Sequence, residues 1–560
     1  MSIEYFVEGK VVTQTEGNQL NFSKGSIAHN SLVNVNQKGN TTGVSHNLAD
    51  EINSEDKPVN FIDVSLNLFF DGTQNNKTNT TLGPNHKNAS SDGDDSYNNE
   101  FTNVAKGFDA LDLSAENQVR WYIEGIGTED EKSDSVAFGV IQGSGETGIK
   151  GKVAKGCKRG AEAVEKKVTD KTKIIDTLTV TVFGFSRGAA AARHFVHLVT
   201  RPPLMTYSGG QTILQIYPHE YIGAEGSFTV KDKDGSKLKF INQYGYFGAC
   251  LMEKELKINK IVFRFAGLYD TVASFGLNHR GGMGIDGDTK QLGLNTIGNG
   301  KVDFVLQIAA DDEYRDNFDL TNIKSTGING LEFTLPGVHS DIGGSYGIGE
   351  EISVLYCKRL DPYDQTTHKE CEEFKKIVVE EGWYSEDQLE IKYFYQKDVK
   401  YDRWWNKGNQ YYGLVGTRQL SNHYDKVPLN LMFHYSKQFG VQYLDSIINE
   451  NHKIVDSFLS SIYGQLLEYT NGCNQIRNKY VNEFNKGSKP SAAQYIQDVK
   501  ALNYLNKISD INDLKRLRHE YLHWSVKANQ IGLSPKPNND APKKEGALTA
   551  QYRKRHIQDG

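Results

Sequence analysis

A serine set between two glycines, Gly184-Phe185-Ser186-Arg187-Gly188, is the stretch of this sequence best suited to chemistry. A hydroxyl is a poor nucleophile near neutral pH, so it needs an adjacent base, and the base needs an orienting acid. The residues before the serine, Leu178 to Phe183, form an apolar and β-branched run, and those after it begin with four alanines, Ala189 to Ala192. The expected local structure is strand, sharp turn, helix, the setting that turns a G-x-S-x-G segment into a nucleophile elbow. The glycines leave room for a strained serine backbone between strand and helix.

An acid and a base follow in the order Ser, acid, His that an α/β-hydrolase arrangement uses. Asp270 ends the apolar run Ile261 to Tyr269, and the C-terminal edge of a buried parallel strand is where such a sheet places its chemistry. A turn or helix-capping aspartate is the competing reading. His339 lies between Gly337 and Gly343, just after the short run Leu331 to Leu335, which predicts a loop that presents one side chain. A turn histidine bonded to backbone is its alternative. The oxyanion of an acyl-transfer intermediate needs backbone N–H donors, one from the residue after the nucleophile, Arg187. The second is expected at Gly72 or Thr73, where the strand Asn60 to Phe70 runs into Asp71-Gly72-Thr73-Gln74. An ordinary Asx turn would explain the same residues.

Four ordered stretches, Phe70 to Asn75, Gly184 to Ala189, Gly267 to Val272 and Gly337 to Gly344, together resemble the catalytic domain of the first lipase class of type VI secretion phospholipase effectors. Ala309 to Phe318 and Val427 to Met432 are similar more faintly. The resemblance implies an α/β-hydrolase that cleaves acyl esters of glycerophospholipids, a phospholipase A, with the triad Ser186, Asp270 and His339. It further implies no metal or organic cofactor and peripheral contact with a phospholipid membrane. A secretion spike protein as carrier, a cognate immunity protein and delivery into the periplasm of a target cell also follow from it. The sequence departs from the family at Tyr269, where tryptophan is common, and at Gln307, where histidine often opens the acidic segment that follows. A serine esterase on a non-lipid ester and a non-catalytic spike-binding module are the alternatives.

A zinc protease is a further rival, because His519-Glu520-Tyr521-Leu522-His523 matches H-E-x-x-H and would set both histidines on one helix face. Val526 and Asn529 stand where the longer metzincin motif needs glycine and histidine, and Lys515, Arg516 and Arg518 disfavour a dication. A surface or interdomain helix is the preferred reading.

At 560 residues and a net charge of −6, the chain is long enough for a large core and carries no signal for nucleic acid. The mean hydropathy is −0.56, and no apolar run reaches membrane-spanning length. Met1 to Lys10 lacks a basic region followed by an apolar stretch, so no secretory signal is expected and synthesis in the cytoplasm is. The five scattered cysteines form no disulfide frame or zinc pattern.

The elements that must position these residues therefore predict an α/β fold. It is an α/β-hydrolase-like, mostly parallel central sheet with inserted lid-like segments, plus a mainly helical C-terminal region. The expected divisions are a polar extension at 1–58 that serves docking, a catalytic domain at 59–350 with an insertion at 203–258, a mainly helical accessory region at 351–535 that faces a membrane or partner, and a polar, extended tail at 536–560. Within them, 76–100 reads as a long solvated loop, Gly125 to Gly151 as a mobile loop near the site, and Phe228 to Phe240 as a β-hairpin turning at Asp234-Gly235. Ile454 to Leu467 repeats apolar residues at helical spacing, giving one face that packs on the domain.

Overall fold

The computed structural model describes residues 60–90, 95–135, 147–210, 212–218, 226–273, 289–298, 300–315, 318–359, 366–396, 409–508, 510–527 and 555–560. The chain divides into Met1–Asn60 and Phe61–Gly560. The expected docking extension at 1–58 lies outside the described residues, as do residues 136–146 of the Gly-rich loop and 536–554 of the polar tail.

In chain order the strands begin β1 (Phe61–Phe70), β2 (Gln118–Ile123), β3 (Ile174–Phe185), β4 (Met205–Ser208), β5 (Ile213–Ile216), β6 (Phe228–Lys231), β7 (Ile258–Tyr269), β8 (Phe304–Ala310), β9 (Leu320–Thr321) and β10 (Gly330–Leu335), and the first two helices are α1 (Lys77–Leu82) and α2 (Asn103–Ala110). The core of Phe61–Gly560 is a six-stranded parallel sheet in the order β10-β8-β7-β3-β1-β2. Residues alternate between its faces. Leu66, Leu68, Val180 and Val182 enter one apolar cluster, whereas Phe69, Phe183, Phe185 and Phe265 enter a second. Burial on both faces is why these strands read as near-continuous apolar runs.

The first face is covered by α3 (Ile149–Lys167), α4 (Arg187–Val199) and α5 (Ser236–Glu253). Here the residues 228–240 differ from the expected hairpin. Phe228–Lys231 is the third strand of a small antiparallel sheet with Met205–Ser208 and Ile213–Ile216, and the chain then enters α5. Asp232 and Asp234 accept from the amides of Leu238 and Ser236, so the Asp-Gly pair starts a helix rather than closing a hairpin. Phe247 and Leu251 of α5 are buried, which makes this part of the 203–258 insertion a piece of the layer that covers the sheet.

The second face is covered by the helices Lys426–Lys437 and Ser457–Asn485. Leu459, Ile462 and Leu466 of the longer helix are buried, so its apolar face packs on the domain, but the helix opens only at Ser457 and Val455, expected on that face, is exposed. The region expected to be mainly helical also holds strands: Gly349–Arg359, Leu389–Gln396 and Asn409–Leu420 form an antiparallel sheet, with the helix Thr366–Glu380 between the first two and the longer run of helices from Lys426. In the 76–100 stretch a short helix, Lys77–Leu82, stands where a solvated loop was expected, capped by Asn76, which accepts from the amides of Thr78 and Asn79.

The sheet order reverses between β1 and β3, because β2 adds on one side of β1 and every later strand adds on the other. Ligands bind such sheets outside the carboxyl ends of the strands at this switch point. Close packing there depends on Gly188, since a Cβ at that position would lie 2.2 Å from the Asp71 carbonyl oxygen and 2.3 Å from that of Phe70. Gly188→Val is expected to destabilise the protein by about 1–3 kcal/mol. Gly464→Ala, on a helix with open space around it, is expected to be neutral or stabilising by up to about 1 kcal/mol. Thermal denaturation of the two variants side by side checks this.

Candidate active site

The carboxyl ends of β3 and β7 lie side by side next to the switch point. Phe185 of β3 pairs with Tyr269 of β7, so Ser186 and Asp270 leave adjacent strands at the same level. Backbone bonds hold the pair: the Ser186 amide donates to the Tyr269 carbonyl over 3.0 Å, and the Asp270 amide donates to Ile308 of β8 over 2.8 Å. Both residues occupy positive φ, 58° at Ser186 and 46° at Asp270. Non-glycine residues are held there only when the surroundings over-determine them, and such strain collects at functional sites. Ser186 caps the start of α4 with ψ at −127°, the sharp turn expected of an elbow.

His339 sits on neither a free loop nor a strand. It is the first residue of a five-residue helix, His339–Gly343, that follows β10. The flanking glycines suggested a loop because they satisfy a different need. Gly337 takes φ 109°, and a Cβ at Gly343 would lie 2.0 Å from the Phe185 ring. The His339 ring lies tilted against Phe185 at 4.6 Å and edge-on to Phe318 at 5.0 Å. Its backbone amide donates to Glu313, which is paired with Arg315 through two bonds of 2.8 Å.

Nδ1 of His339 hydrogen-bonds to Oδ2 of Asp270, which is fully buried. That bond places the proton on Nδ1 and leaves Nε2 as the basic nitrogen. Asp270 also accepts from the Ala310 amide at 2.9 Å and from both terminal nitrogens of Arg555, at 2.6 and 2.9 Å. Burial alone would push the carboxyl up, but the Arg555 charge and then the His339 hydrogen bond hold it well below the usual carboxylate range. Burial pushes His339 below its ordinary value, an effect that Asp270 opposes and Arg315 reinforces.

At the end of β1, the Gly72 amide donates to the Asp71 carboxylate over 2.7 Å, while the Thr73 hydroxyl is buried without a hydrogen-bond partner. A Cβ at Gly72 would lie 2.6 Å from the Phe185 ring, so this turn abuts the residue before the nucleophile. Asp71 is raised to about 6 by burial, against hydrogen bonds from Tyr122 and Thr102 that favour its charge.

The H-E-x-x-H segment lies elsewhere in the chemistry. Its helix ends at Glu520, so His519 and His523 do not share a helical face. His523 donates its amide over 3.0 Å to Oδ2 of Asp341 and bonds Oδ1 through Nδ1 at 2.7 Å, and it stacks on Tyr346. This ties the segment after the 511–520 helix to the helix that carries His339. Gln307 is buried and donates to the Thr321 carbonyl and to Glu332, while accepting from Thr271 beside the acid.

A model of the catalytic domain of Tle1-like phospholipase effectors of the type VI secretion system matches residues 65–358. The chain belongs to this family. It carries a Tle1-like phospholipase effector domain, and secretion by the type VI system follows from membership. Among solved structures it is similar to one described as the Tle1 effector bound to the VgrG spike from the type 6 secretion system, at 20% identity over 84% of this chain and 86% of that one, with a TM-score of 0.47. It is also similar to an uncharacterized protein from Pseudomonas aeruginosa, at 15% identity over 79% of this chain and 53% of that one, with a TM-score of 0.34. A search of curated proteins gives no match.

Arg555, the Glu313–Arg315 pair and the Asp341–His523 pair escaped the sequence reading of this Tle1-like domain. Glu313 and Arg315 lie in a stretch that resembled the family, but spacing gave them no role. Asp341 stood inside the His339 motif, whereas its partner stood in the H-E-x-x-H segment. Burial lowers His523, but the Asp341 charge and hydrogen bond outweigh this and raise it above its ordinary value. A raised histidine stabilises the fold fully below its unfolded-state value and loses that contribution as pH rises through its folded value. The thermal midpoint is therefore expected to fall as pH rises above the ordinary histidine value of 6.5, and His523→Gln is expected to flatten that fall in the same scan.

Proposed function

We propose that this Tle1-like effector is a serine acyl-ester hydrolase of the phospholipase A type, acting on glycerophospholipids with Ser186 as nucleophile. One observation carries the reading. The buried Asp270–His339 hydrogen bond stands at the sheet edge where the strained Ser186 leaves the neighbouring strand.

In the proposed mechanism, Nε2 of His339 takes the hydroxyl proton as Ser186 Oγ attacks the ester carbonyl carbon. The resulting oxyanion is met by the Arg187 amide and by Thr73. The Gly72 amide, the other expected donor, is engaged by Asp71, so it acts only if that bond opens. The unpartnered Thr73 hydroxyl supports Thr73 as the second donor. The tetrahedral intermediate collapses, the C–O bond to the glycerol breaks, and His339 returns its proton to the departing lysophospholipid. Water then attacks the acyl-enzyme by the same route, which frees the fatty acid and restores Ser186. Asp270 fixes the imidazole tautomer and stabilises its cation.

Delivery by the type VI system would need a spike protein as carrier, and an antibacterial phospholipase would need a cognate immunity protein in the producing cell. The proposed place of action is the periplasm of the target cell, where the phospholipid bilayer is met from outside the cytoplasm.

Purified protein is expected to release fatty acid from phosphatidylethanolamine/phosphatidylglycerol vesicles, and Ser186→Ala is expected to cut that release by about 10³-fold or more. Cleavage of short-chain esters with inert vesicles would replace the lipid with another acyl ester. Lipid cleavage that survives Ser186→Ala would remove the serine from the mechanism. The kcat/KM profile supplies a further check. A histidine depressed by burial must be neutral to act, so the acidic limb is expected below the ordinary histidine value of 6.5.

A further inference from the structure

The residues 555–560 belong to the polar tail that the sequence left without a role, yet they fold back onto the acid. Ile557–Gln558 pairs in parallel with the two-residue strand Leu320–Thr321. The Leu320 amide donates to His556 over 3.1 Å, the Asn322 amide to Gln558 over 2.9 Å and the Ser325 amide to Gly560 over 3.2 Å. Asp559 accepts from Asn322 at 2.7 Å and from Lys324 at 2.6 Å. The strand they dock on is tied to the site, since the Thr321 amide donates to the Thr271 carbonyl over 2.9 Å, one residue after Asp270.

This docking aims a single side chain. The Arg555 side chain is 6% exposed, and its Nε donates to the Phe318 carbonyl over 2.7 Å. Its two terminal nitrogens take one oxygen each of Asp270, and Nη1 also reaches the Ala310 carbonyl at 3.2 Å. A planar fork held at three edges permits one orientation of the carboxylate plane. The Oδ2 atom it grips is the one that holds His339.

We propose that Arg555 is a positioning residue of the acyl-transfer site, supplied by the docked 555–560 strand, which clamps both oxygens of Asp270 and so sets the direction and strength of the Asp270–His339 bond. The proposal rests on the triad reading above. The charged groups that face the Asp270–His339 pair are Arg555 on the docked strand and Glu313 and Arg315 on the segment after β8. With one proton the pair is neutral, and without it the pair carries one negative charge that Arg555 favours. Removing the guanidinium therefore strengthens proton binding by the pair, whichever atom holds the proton.

The test is fatty-acid release from the same vesicles by full-length Arg555→Met, Arg555→Lys and Ser186→Ala, with kcat/KM measured across pH. Arg555→Met is expected to lower kcat by about tenfold to a hundredfold through misorientation and to move the acidic limb upward by about one pH unit. Arg555→Lys keeps the charge and loses the fork, so its limb is expected to stay at the wild-type position while kcat falls several-fold. A purely structural arginine would reduce the folded fraction without moving the limb, so an unmoved limb in Arg555→Met overturns the proposal. Should that variant fail to fold, a wild-type kcat in Arg555→Lys overturns it instead. Activity that persists in Ser186→Ala would defeat the triad reading, whereas loss there beside an unaffected Arg555→Met would defeat the clamp alone.

Discussion

A carboxylate charge with no access to water is the constraint around which this molecule is organised. Asp270 is fully buried, and an isolated ion in such a place would cost many kcal/mol. Four elements converge to satisfy it: β7 carries it, β8 offers the Ala310 amide, the 339–343 helix offers His339, and the 555–560 strand offers Arg555. Each of these contacts is also a tertiary contact. The site is thus assembled by the demand of one charge for partners.

Steric closeness supplies the second constraint. The elbow brings the first turn of α4 against the carbonyls at the end of β1, a distance only Gly188 tolerates. On the other side of the serine, Phe185 is packed by Gly72, by Gly343 and by the His339 ring. One aromatic ring therefore sets the spacing of Ser186, His339 and the turn at Gly72. Interiors packed at this density transmit small displacements, so substitutions one shell away from Ser186 act on its geometry.

The far half of the chain serves the same end. The helices beyond Lys426 bury the second face of the sheet, which would otherwise expose Phe183, Phe265 and Phe304. Met432 reaches Gly267, where a Cβ would lie 2.6 Å from its sulfur. Arg418 bonds Glu351 and the Leu522 carbonyl and joins the antiparallel sheet to the segment that holds Asp341 through His523.

Sequence by itself determined what is local or short in period. Strands buried on both faces announce themselves as apolar runs, and an elbow announces itself by glycines around a serine, so the parallel sheet and Ser186 and Asp270 at the ends of their strands were legible, whereas His339, expected on a loop, opens a short helix. Misreadings arose where one local signal has two physical outcomes. Asp234-Gly235 can close a hairpin or start a helix, and the choice fell to Asp232 and the apolar face of α5, which had a sheet to pack on. His519 and His523 keep helical spacing in the sequence, but the helix ends at Glu520 and His523 beyond it bonds Asp341. Only the tertiary structure decided that Arg555, 285 residues from Asp270, belongs to the site. A charge partner across that span carries no periodicity or spacing, because the bond between them is made by chain return and burial rather than by neighbouring residues.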